Sequence, residues 1–136
     1  MLAMLRSTLI ALCIAALSIL LAPALHADQC SELTDEYNAG WQRLDNFNRQ
    51  QIEKAKKLYS GGAEPSLEQS LEFACTDVRL RLLELRRELE TVNRLLRECA
   101  AQLPLRLPSG KVCDVACGET LVTDTEKWIR KNCEGH

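Results

Sequence analysis

Two long stretches of the chain repeat their apolar positions every three or four residues. In the first, Leu33, Tyr37, Trp41, Leu44, Ala55 and Leu58 recur at helical steps, with Asn48 and Gln51 as polar interruptions. No Pro interrupts the stretch, and Gly40 is its only Gly. Glu32, Asp35 and Glu36 open it and Lys54, Lys56 and Lys57 close it, the charge order a helix dipole favours. The pattern predicts a helix from Ser31 to about Ser60, stopped by Gly61-Gly62.

Ser66, followed three residues later by Gln69, is a capping-box start for a second helix, Leu67 to about Gln102. Leu71, Val78, Leu85, Val92 and Cys99 are seven apart in it, as are Cys75, Leu82, Leu89, Leu96 and Leu103. Two interleaved heptad series predict a coiled-coil-like seam. The connector between the helices is short, so they are expected to lie antiparallel. Phe73, Leu80 and Leu83 fall off the seam, in the N-terminal half of the second helix. They need a cover from elsewhere in the chain, or they form a surface for a partner. Six arginines alternate with acidic residues, Glu84 and Glu88 among them, on what reads as a solvated face. Asp77–Arg81, Arg86–Glu90 and Glu90–Arg94 are spaced for i,i+4 pairing.

Pro104 ends the helical pattern. Leu103, Leu105 and Leu107 then alternate, Pro108-Ser109-Gly110 reads as a turn, and Lys111–Val115 reads as a return strand. Thr120 or Asp124 is expected to cap a last short helix, reaching about Cys133, with Leu121, Thr125, Trp128, Ile129 and Cys133 on one side. Trp128 and Ile129 are the expected cover for Phe73, Leu80 and Leu83. The fold expected is all-α. It is an antiparallel helical hairpin over residues 28–103, with a short cysteine-rich segment over 104–136 that adds a third short helix. Disulfides staple it.

Residues 1–27 do not fit that pattern. Arg6 precedes 19 uncharged residues, Ser7–Leu25, and Pro23 stands among small residues near their end. This is the layout of a secretory signal peptide, with cleavage expected after Ala24 or Ala27. A retained anchor is the alternative, since 19 residues just span a bilayer. Cleavage changes the composition. The whole chain of 136 residues carries a formal charge of −2 and seven Cys; without Arg6 and Cys13 the charge is −3 and six Cys remain. A chain of this length is one domain. Its charge argues against nucleic-acid binding, which goes with a basic excess.

An even cysteine count in a short exported chain reads as a disulfide framework and a secreted or periplasmic location. The six are Cys30, Cys75, Cys99, Cys113, Cys117 and Cys133. Cys75 and Cys99 are too far apart on one continuous helix to bond, since a helix rises about 1.5 Å per residue and a disulfide needs Cα atoms within about 7 Å. In a hairpin centred near residue 63, Cys30 comes level with about residue 96, one turn from Cys99, so Cys30–Cys99 is the first bridge. Cys113 and Cys117, if on one helical turn, would point to different partners. Cys75 is therefore expected to bond one tail cysteine, leaving the other two to bond each other or stay free.

Cys113, Cys117, Cys133 and His136 have the types of a tetrahedral zinc set, against which the oxidising compartment argues. Dithiol redox chemistry usually takes C-x-x-C within a βαβ pattern; this chain has C-x3-C and no such pattern. His136 is the only His left after cleavage, and the acidic residues read as solvent-facing, so no catalytic, metal or cofactor site is expected. The function expected is that of an exported, non-catalytic protein that binds a protein partner through Phe73, Leu80, Leu83 and Trp128. Inhibitors, effector-neutralising proteins and envelope-assembly subunits fit that description. A periplasmic chaperone-like protein, a self-associating coiled coil forming homo-oligomers, and a zinc-binding protein are the alternatives. Neither nucleic acid nor, after cleavage, the membrane is an expected partner.

Overall fold

A computed structural model describes the backbone of residues 2–134 and the side chains of residues 26–134. The leader expected over residues 1–27 therefore falls almost wholly on side chains outside the described residues. In chain order the elements are α1 (Leu2–Tyr59), α2 (Leu67–Cys99), β1 (Leu105–Arg106), β2 (Val112–Cys113) and α3 (Val115–Cys133). The helix expected to begin at Ser31 runs unbroken from Leu2. Among the described residues, no helix is long and apolar enough to cross a membrane.

The first stop and the second start are where the turn chemistry puts them. Gly62, at φ +76°, adopts the left-handed conformation that turns the chain away from α1. Ser66 then closes a complete capping box: the Gln69 amide donates to Ser66 Oγ at 3.1 Å, and the Ser66 amide donates to Gln69 Oε1 at 3.0 Å. The far end of α2 falls short of the expected Gln102. Ala100 takes a left-handed conformation at φ 50°, and both its amide and that of Ala101 donate to the Leu95 carbonyl.

The helical hairpin is antiparallel, but α2 is the middle of three helices rather than half of a coiled coil. Leu85 and Val92 share a buried cluster with Leu33 and Tyr37 of α1, and with Leu95 and Leu105. The other heptad series turns toward α3. Cys75 is bonded to Cys133, and Leu82 and Ile129 are both buried and line one groove. A Cβ on Gly118 of α3 would stand 3.3 Å from Leu89 Cδ1. Leu96 is left 39% exposed, on the wall of a groove that Val115 of α3 also lines. The physical reason is that 3.6 residues per turn spreads two heptad series over a wide arc, and this arc serves two neighbours in place of one.

β1 and β2 pair antiparallel, Leu105 with Cys113 and Arg106 with Val112. Gly110 turns between them at φ +80°. The strands are shorter than the alternation suggests, because Pro104 cannot donate to a ladder and Asp114 already caps the next helix. That cap corrects the expected start at Thr120 or Asp124. Asp114 accepts the Cys117 amide at 2.8 Å, and the Thr120 hydroxyl bonds back to the Ala116 carbonyl at 2.9 Å, inside α3. Gly118 is tolerated there because a side chain would run into Leu105.

Candidate functional site

The least expected feature is a charged cluster beneath the α1–α2 contact. Glu88 is wholly buried, which corrects its expected place on a solvated face. Gly40 of α1 makes the notch that admits it: a Cβ there would stand 2.8 Å from Glu88 Cδ and closer still to Oε1. Arg43, three residues on, pairs with the same carboxylate at 3.1 Å. Burial raises the Glu88 carboxyl above its ordinary value, and the positive charges of Arg43 and Arg106 oppose that rise.

Arg106 is 1% exposed. Strand alternation places it opposite the core-facing Leu105, but α1 covers that side too. Its guanidinium lies 3.6 Å from the centre of the Tyr37 ring and 4.3 Å from that of Trp41, and it donates to the Tyr37 carbonyl. The Tyr37 hydroxyl donates to the Pro104 carbonyl at 2.9 Å, so α1 grips the base of the β-hairpin twice. Trp41, a core position by its spacing, is instead a lid on Arg106 and stays 46% exposed. Gln51, read as a polar interruption, is buried.

Cross-links carry the rest of the frame. Cys30–Cys99 joins α1 to the end of α2 with Cα atoms 5.7 Å apart, at the open end of the hairpin. Cys75–Cys133 joins α2 to the end of α3, also at 5.7 Å. Cys113–Cys117 closes a local loop at 5.9 Å. Those two cysteines do not share a helical turn. Cys113 belongs to β2 and Cys117 to the first turn of α3, so the chain bends between them and brings the sulfurs together. Of the expected surface pairs, Asp77–Arg81 forms at 2.7 Å. Arg86 pairs with Glu126 across to α3, and Arg94 pairs with Glu98, in place of the expected Glu90 partners.

The expected partner-binding residues lie on two helices, Phe73, Leu80 and Leu83 on α2 and Trp128 on α3. Leu83, 58% exposed, borders a groove of about 470 Å³ between α2 and α3, with Leu82 and Ile129 in it and Arg79, Arg86 and Arg130 around it. Trp128 is about 100° round α3 from Ile129, on the flank of Leu121, and is 42% exposed. Phe73 and Leu80 are half-buried and line neither that groove nor the one bounded by Leu121. Ile129, one of the two expected covering residues, lines the same groove as Leu83. The zinc candidates are dispersed as well, Cys133 being bonded to Cys75 and Cys113 to Cys117, while His136 lies outside the described residues. Among the described residues, no group of three His, Cys, Asp or Glu side chains is placed to hold a metal ion. Leu85 and Val92 of one heptad series and Cys75 and Leu82 of the other are buried within the chain, while Leu96 is exposed.

These features define a three-helix protein stapled by disulfides around a central α2, with a buried ionic cluster under one seam. Comparison with models of protein families, with curated proteins and with solved structures finds no match for the chain.

Proposed function

We propose that this is an exported, non-catalytic helical protein whose task is to bind a protein partner, as an inhibitor, a neutralising protein or an envelope-assembly subunit. The observation behind this reading is two exposed large apolar side chains held on a cross-linked frame. Leu83 and Trp128 stand 58% and 42% exposed on two helices that Cys75–Cys133 and Arg86–Glu126 lock together. Side chains fixed before binding lose little entropy on binding, and Trp is enriched among residues that dominate interfaces. The signal-like residues 1–27 and the paired cysteines are compatible with an oxidising compartment outside the cytoplasm.

The test is affinity capture of the tagged mature protein from its own compartment, beside the variants Leu83→Glu and Trp128→Ala. The reading expects a stoichiometric partner that wild type retains and at least one variant loses. Identical recovery with all three baits, or no stoichiometric partner for wild type, would overturn it.

A further inference from the structure

Cys113–Cys117 differs from the other two bridges in what it does for the fold. The long bridges span 69 and 58 residues and tie separate helices; this one spans 4. A short loop removes little entropy from the unfolded chain, so this bond contributes least to stability. Its two cysteines are also held without it. Cys113 is paired with Leu105 across the strands, Cys117 is held by the Asp114 cap, and Gly118 packs against Leu105. Both residues are half-buried, so neither is sealed in the core. Beside them opens a groove of about 540 Å³, lined by Val92, Leu96, Leu103, Val112 and Val115 as well as by Cys113 itself. Leu96 and Val112 on its wall are 39% and 54% exposed.

We propose that Cys113–Cys117 is an exchange-competent disulfide, and that the groove seats the apolar residues flanking a thiol in an unfolded or extended protein substrate. This is independent of the binding surface at Leu83 and Trp128, and each protein molecule passes on its disulfide once, a stoichiometric exchange rather than a catalytic cycle. A substrate thiolate attacks Cys113 Sγ. The Cys113–Cys117 bond breaks, and its electron pair leaves on Cys117 Sγ. A mixed disulfide joins the substrate to Cys113. A second substrate thiol, after losing its proton to solvent, attacks the substrate sulfur of that bond. The substrate departs oxidised by two electrons, and Cys113 and Cys117 remain as a dithiol once each of the two released thiolates has taken up a proton from solvent. Cys117 is the better leaving sulfur, because the first turn of a helix favours a thiolate. The Asp114 carboxylate capping the same turn opposes this, and its position makes it a positioning residue for exchange.

The experiment uses the mature protein with all three bridges formed. Graded dithiothreitol, followed by alkylation and peptide mapping, is expected to open Cys113–Cys117 alone over at least a tenfold range of reductant, with the helical circular dichroism unchanged. A reduced peptide carrying two cysteines among leucines should then be oxidised several-fold faster than its serine-flanked counterpart, and Leu96→Asp should remove that preference. Asp114→Asn, which keeps a capping side chain, should speed the oxidation of both peptides. Joint opening of the three bridges, loss of helix when Cys113–Cys117 opens, or equal rates for the two peptides would each overturn the proposal.

Discussion

Gly40→Ala puts the buried cluster to a test in which the sign alone is informative. In an ordinary helix interior this change stabilises by about 1 kcal/mol, because Ala loses less backbone entropy than Gly. Here the added methyl would stand 2.8 Å from Glu88 Cδ, and the carboxylate belongs to a wholly buried side chain with Arg43 at 3.1 Å. Two responses are open to the fold. If the helices part, the overpacking costs about 1–3 kcal/mol. If Glu88 swings out of reach of Arg43, a buried pair is broken, which costs about 3–5 kcal/mol. Set against the gain in helix propensity, the net expectation is a loss of about 0–2 kcal/mol if the helices part and about 2–4 kcal/mol if the pair breaks. Urea unfolding with the disulfides intact measures it. Gly61→Ala is the control, since a Cβ there meets nothing within 4 Å. A Gly40→Ala protein more stable than wild type, by the gain an ordinary helix interior shows, would refute the placement of Glu88 in the Gly40 notch.

Three further outcomes follow from the same structure. Burial raises the Glu88 carboxyl above 4.5 against the pull of Arg43 and Arg106, while Glu84 adds to the rise and Arg87 opposes it. The folded state therefore holds this proton more tightly than the unfolded state, and this group's contribution declines as pH rises through the interval above 4.5. Glu88→Gln, compared with wild type by unfolding at a series of pH values, should gain relative stability across that interval; a difference constant with pH would contradict this. Ala100→Gly relieves a left-handed alanine at φ 50° and should stabilise by about 0.5–1 kcal/mol in a thermal melt, where no gain would count against that cap. Replacing both Cys30 and Cys99 by Ser opens a bridge that spans 69 residues and should lower stability by about 4 kcal/mol in denaturant titration. A loss below about 1 kcal/mol would mean that the open end of the hairpin is held by packing alone.

The parts of this fold legible from the sequence are those set by short-range rules. Ser66 and Gln69 announce a cap that needs only their own backbone, and the Gly pair stops α1 by its freedom at positive φ. Distance from the connector is enough to bring Cys30 level with Cys99. What could not be read depended on neighbours supplied by distant segments. Glu88 and Arg106 look like solvated charges by spacing, and become buried only because Gly40 leaves a notch and because Tyr37 and Trp41 close over the hairpin. The one available signal was Gly40 itself, a helix-weakening residue in an unbroken helical pattern. Heptad counting reveals an apolar arc on α2 but not how many helices share it. The start of α3 was missed because Val115 to Glu119 carry no apolar periodicity of their own, and Asp114 was read as part of a strand. Leu83 is legible as an apolar position off the seam and Trp128 as one on the apolar side of the last helix, whereas the alignment of α3 along α2 depends on the Cys75–Cys133 bridge.

That bridge also decides the arrangement most directly. Peptide mapping of the unreduced mature protein by mass spectrometry reads which cysteines are joined. A central α2 flanked by α1 and α3 predicts Cys30 with Cys99, Cys75 with Cys133, and Cys113 with Cys117, with no free thiol. Cys75 joined to Cys113 or Cys117, or a free Cys133, would contradict it, because α3 would then lie the other way along α2 or away from it.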